Sequence, residues 1–103
     1  FVSNGNYRVI AIRVRWEGNG IDSFLQVTNN HNGDFAGDGG LNLLQNMLPT
    51  SSGEGNFQAP VLTEAVNNLS LVDGSVLCLD VNGPLETQPK GLIVTVFMVP
   101  QWQ

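Results

Sequence analysis

The densest apolar stretch of the chain lies near its carboxyl end. Leu92 to Val99 are all apolar or β-branched, and Gly91 and Pro100 close the run. It is far shorter than the roughly 20 residues needed to span a bilayer as a helix. It is also too rich in β-branched residues to favour a helix in water. The pattern predicts a central strand buried on both faces. Leu92, Val94, Val96 and Met98 would point to one side, and Ile93, Thr95, Phe97 and Val99 to the other.

Alternation with period two marks a second strand over Tyr7–Trp16, with Ile10, Ile12, Val14 and Trp16 on one face. Tyr7, Val9, Ala11, Arg13 and Arg15 form the opposite face, which becomes basic toward its end. Asn19-Gly20 follows, a hairpin signal, and Ile21–Thr28 alternates again, so these two strands are expected to pair antiparallel. In that arrangement Arg13 or Arg15 would meet Asp22. Leu41, Leu44 and Leu48 recur at helical spacing and predict one or two helical turns stopped by Pro49. Phe57–Leu62 reads as a short edge strand because Pro60 cannot donate to a ladder. Thr63–Val66 suits a single helical turn. Ser75–Val81 is a strand, with Leu77, Leu79 and Val81 on one side. Asp73-Gly74 before it is either a tight hairpin turn or a loop leading into that strand.

Five or six short strands separated by turn residues, with no helix of crossover length, predict an all-β fold. The expected architecture is one domain over residues 1–103, a small antiparallel β-sandwich of jelly-roll type with one or two short helical turns.

Composition sharpens this picture in three ways. Charged residues are 13% of the chain, and a single lysine and three arginines face nine acids, for a net charge of −5. A nucleic-acid partner is disfavoured, because phosphate contacts need clustered Lys and Arg. A surface poor in Lys and Glu resembles interface surface and points to self-association or to neutral ligands. The lone Cys78 permits no internal disulfide and, within an apolar run, reads as a small buried hydrophobe. The chain opens at Phe1 without methionine, which suggests processing or excision from a longer chain, and shows no signal peptide or transmembrane segment.

Catalytic groups are sparse. His31 is the single histidine, and no serine sits in a nucleophile-elbow context. The loop after the second strand holds the sharpest local pattern. Asn30, Asn32, Asp34 and Asp38 stand at the first, third, fifth and ninth positions of what resembles the start of a calcium-binding loop. Phe35 replaces the expected glycine, however, and Leu41 the bidentate glutamate. The alternative is a polar loop satisfying its own backbone. The same loop could hold a neutral sugar through Asn30, His31, Asn32, Asp34 and Asp38 with Phe35 as an apolar platform, and Trp16, Trp102 and Tyr7 supply further rings. Trp16 is expected to fill the core rather than a binding platform. Asn68-Leu69-Ser70 forms an N-glycosylation triplet. Trp102, in the tail, reads as an anchor for a neighbouring subunit.

Two expectations about function result. The first is a non-catalytic, self-assembling structural subunit of a virion, phage appendage, or extracellular filament or cage, working as a homo-oligomer without a cofactor. The second is a lectin-like, carbohydrate-binding module built on the Asn29–Asp38 loop, with calcium as its one conceivable ion. Both place the protein outside the cell or in a virion.

Overall fold

A computed structural model describes residues 1–30 and 40–101. Among the described residues seven strands form two antiparallel sheets that face each other across one apolar core. They are β1 (Tyr7–Arg15), β2 (Phe24–Asn30), β3 (Leu41–Asn42), β4 (Leu48–Pro49), β5 (Ser70–Leu71), β6 (Val76–Asn82) and β7 (Ile93–Pro100). Two single 3₁₀ turns, Val66–Leu69 and Leu85–Thr87, are the helical segments among the described residues. The fold is an all-β sandwich.

The first sheet has the order β5-β1-β7. In the second, β6 runs along one edge of β2, while β3 and β4 share the other edge. β1 contributes Val9, Ile12 and Val14 to the core, with Trp16 just beyond it. β2 contributes Leu25 and Val27, and Leu43, Leu44, Leu69 and Leu71 close the gap. Fully burying such side chains stabilises the fold by roughly 1.5–3 kcal/mol each before entropy is counted.

Several elements depart from what periodicity implies. β1 and β2 do not form a hairpin; each lies in a different sheet. The Asn19-Gly20 segment carries the chain across the sandwich instead, and the buried Gly20 donates its N–H to Thr50 O at 2.8 Å. Arg15 therefore meets Glu17 (3.3 Å) and not Asp22. Leu41–Leu48 contains no helical turn. It is an extended segment that follows β2, pairing at Leu41–Asn42 and Leu48–Pro49, because its main-chain groups bond to other segments: Leu43 N–H donates to Val27 O and Gln45 N–H to Val61 O, both at 2.9 Å. Phe57–Leu62 makes only isolated bridges, Gln58 to Val14 and Leu62 to Leu44. Asp73-Gly74 is a turn that leads from β5 in one sheet to β6 in the other.

The largest departure concerns the apolar octapeptide. Among the described residues β7 pairs with β1 alone, as an edge strand and not a central one. Its two faces are as expected, but only Val94, Val96 and Met98, with Leu92 just before them, pack on the core. Ile93, Thr95, Phe97 and Val99 lie on the outer surface.

β1 contains a bulge. Val9 pairs with Met98 and Ala11 with Phe97, so Ile10 has no partner across the ladder. An extra residue inverts the alternation beyond it. Val9 is thus buried, Ile10 is 53% exposed, and Ile10 leaves the face on which strict alternation would put it.

Candidate functional site

Of the residues expected to bind a ligand, Asn30 alone is described. His31, Asn32, Asp34, Phe35 and Asp38 lie outside the described residues, as does Trp102. Asn30 ends β2, is buried, and donates from Nδ2 to Cys78 Sγ at 3.4 Å. Its Oδ1 and the Thr28 hydroxyl are buried without a partner among the described residues. Both face Gly40, where an added Cβ would stand 2.7 Å from Asn30 Oδ1. No cluster of three His, Cys, Asp or Glu side chains that could hold a metal occurs among the described residues.

The other polar groups with chemical potential are engaged in holding the fold. Ser75 is fully buried, and its Oγ accepts the Val72 N–H at 3.0 Å. Ser23 is buried and bonds the Ile21 and Thr87 carbonyls. Asp73 Oδ1 accepts the Gly5 N–H at 3.1 Å. Trp16 is fully buried, its indole N–H donating to Asn19 Oδ1 at 3.1 Å, so its ring is not free to carry a sugar, and Tyr7 is half-buried against the core. In the Asn68-Leu69-Ser70 triplet, Asn68 Nδ2 donates to Asn42 O at 3.1 Å and Leu69 is buried. A glycan there would have to break that bond.

Two surface features remain. One is an apolar slot of about 300 Å³ between β6 and β7, lined by Leu77, Leu79, Val94, Val96 and Met98, with Phe1 among its walls. Cys78 also lines it and is half-buried rather than enclosed. The amino-terminal residues partly cover the β6 edge: Leu77 N–H donates to Phe1 O at 2.8 Å, and Ser3 N–H to Ser75 O at 2.7 Å.

The other is the outer face of the β5-β1-β7 sheet. The ladder places Arg8 beside Val99, Ala11 beside Phe97, Arg13 beside Thr95 and Arg15 beside Ile93. Three of the four cationic side chains of the protein therefore share one sheet face with an apolar stripe. Arg15 is tied down: besides its ion pair with Glu17, Nε donates to Gly55 O at 3.0 Å, and the guanidinium lies 5.9 Å from the Phe57 ring centre. Arg8 and Arg13 have no carboxylate partner among the described residues.

Strict alternation places Arg13, Arg15 and the β7 residues on the faces they occupy, but it puts Arg8 with Ile12 and Val9 with Arg13; the bulge at Ile10 reverses both, burying Val9 and turning Arg8 outward. Alternation did not reveal the face as a surface, because β7 was expected beneath a covering layer.

Comparison with protein-family models, with curated proteins and with solved structures gave no match. Among the described residues no helix is long and apolar enough to cross a membrane.

Proposed function

We propose that the protein is a non-catalytic structural subunit that assembles with further copies of itself, in an extracellular filament or cage or in a virion. One observation carries this reading. Among the described residues β7 is an edge strand of eight residues with no charge and no bulge of its own, and its outer face presents Ile93, Phe97 and Val99. Proteins that stay monomeric protect such edges with charges, prolines or bulges. Here Pro100 stands only at the end of the strand. An unprotected apolar edge is stabilised by covering it, and a second subunit is the cover that a structural role supplies. The scarcity of lysine fits the same reading, since lysine is depleted at interfaces.

Light scattering coupled to size-exclusion chromatography tests it. The chain has a mass of 11.1 kDa, and a species several times larger is expected at micromolar concentration. A mass that stays at one subunit up to millimolar concentration would overturn the reading.

A further inference from the structure

The molecule carries two exposed patches of opposite sign, each mixing charge with apolar surface. The first is the sheet face just described, with Arg8 and Arg13 beside Phe97 and Val99. In a chain with nine acids and four cations, two guanidiniums without an acid partner among the described residues are conspicuous. Arg13 satisfies one donor on the Ile12 carbonyl at 3.0 Å; Arg8 is exposed.

The second patch is a knob made of two segments distant in sequence. Ile21 N–H donates to Thr87 O at 2.8 Å, and Thr87 Oγ1–H donates back to Ile21 O at 2.9 Å. This stitches Ile21-Asp22 to the Leu85–Thr87 turn. Leu85 is 85% exposed, more than any other large apolar side chain described, and Ile21 is 64% exposed. Asp22 and Glu86 are exposed beside them. The knob presents two carboxylates and two aliphatic side chains together.

We infer that the knob of one copy docks on the sheet face of the next, setting Asp22 and Glu86 against Arg8 and Arg13, and Ile21 and Leu85 against Phe97 and Val99. This rests on the assembly reading above and specifies its contact. Charge complementarity selects the occupant. A polyanion such as nucleic acid would match the arginines but make no use of the apolar stripe, and the net charge of −5 would repel it at a distance. The knob answers both halves of the face. The apolar side chains supply the affinity, and the charges set orientation and rate of encounter. Because the two patches differ, the contact is heterologous and repeats from copy to copy, giving a closed ring or an open filament.

The test uses the whole chain in analytical ultracentrifugation, with circular dichroism to verify the fold of each variant. Arg13→Glu and Glu86→Arg should each weaken association by on the order of tenfold, and the double reversal should recover most of that loss. Leu85→Asp should weaken it by on the order of a hundredfold. Should Arg13→Glu misfold, Arg8→Glu, at an exposed position, replaces it. Mixing Arg13→Glu with Leu85→Asp should yield a complex that stops at two subunits, since one intact face then meets one intact knob.

Wild-type assembly that ignores every one of these changes overturns the contact and leaves the assembly reading standing. A wild-type monomer overturns both. A monomer that binds heparin through Arg13 assigns the face to a polyanion and overturns the inference equally.

Discussion

β2 and β7 are nearly equal in length and opposite in both composition and surroundings. β2 reads Phe-Leu-Gln-Val-Thr-Asn-Asn, and every residue after Phe24 is buried. β7 reads Ile-Val-Thr-Val-Phe-Met-Val-Pro, and none of its residues is fully buried. The polar strand lies inside and the apolar strand lies at the rim. The difference shows that burial here follows the number of neighbours a strand has. β2 is flanked by β6 on one side and by β3 and β4 on the other, and the returning chain around Leu43 and Leu44 covers it. Among the described residues β7 pairs only with β1 within its sheet.

Two of these polar side chains, Gln26 and Asn29, are answered from other parts of the chain. Gln26 accepts the Leu44 N–H at 2.9 Å and donates to the Leu44 carbonyl at 3.3 Å. Asn29 Nδ2 donates to the carbonyls of Asn68 and Ser70, both at 2.9 Å, reaching from one sheet to the strand β5 of the other. A buried polar group that is fully bonded costs little, whereas one left unmatched costs about 1–3 kcal/mol.

This contrast can be broken experimentally, and the inner strand should break hardest. Asn29→Ala strips two carbonyls of their donor and should lower unfolding free energy by about 3 kcal/mol in urea titration. A loss under 1 kcal/mol would mean that the inter-sheet amide is not what stabilises β2. Gln26→Leu keeps the volume but orphans both main-chain groups of Leu44, for a loss of about 2 kcal/mol by the same measurement. On the rim the numbers should fall. Val96→Ala removes half-buried methyl groups beside the slot and should cost about 1 kcal/mol. Phe97→Thr should change stability by less than about 0.5 kcal/mol while reducing self-association in light scattering. If Phe97→Thr proved as damaging as Asn29→Ala, β7 would have to be covered within the monomer.

Much of the architecture was legible in the residues themselves. The strands near Tyr7–Trp16, Ser75–Val81 and Leu92–Val99 follow from alternation and β-branching, and Trp16 fills the core. Alternation reports which face a side chain occupies, but it carries no information about how many strands lie alongside. That is why β7 looked central and why β2, whose alternation fades into Thr-Asn-Asn, did not. The partners that make β2 polar and buried sit 18 positions away for Gln26 and 39 or 41 for Asn29. No local pattern announces them. The Asn19-Gly20 pair has the chemistry of a hairpin, yet Gly20 is buried and bonded to Thr50, so tertiary contacts override the local turn preference. Alternation shows Arg13 and Arg15 on one face, but Arg8 joins them only through the bulge at Ile10, and the knob has no local signal because Ile21 is bonded to Thr87, 66 positions away.

The unpaired Ile10 has a consequence for which lengths of this chain can fold. Losing one residue from a strand ordinarily turns every following side chain inside out. At Ile10 the reverse holds. With that residue deleted, Val9 stands directly before Ala11, and Tyr7, Val9, Ile12 and Val14 still point inward while Arg8 and Arg13 still point outward. β1 is thus expected to accept a deletion at this one address, with a melting temperature near that of the parent, and to refuse the same deletion at Ile12.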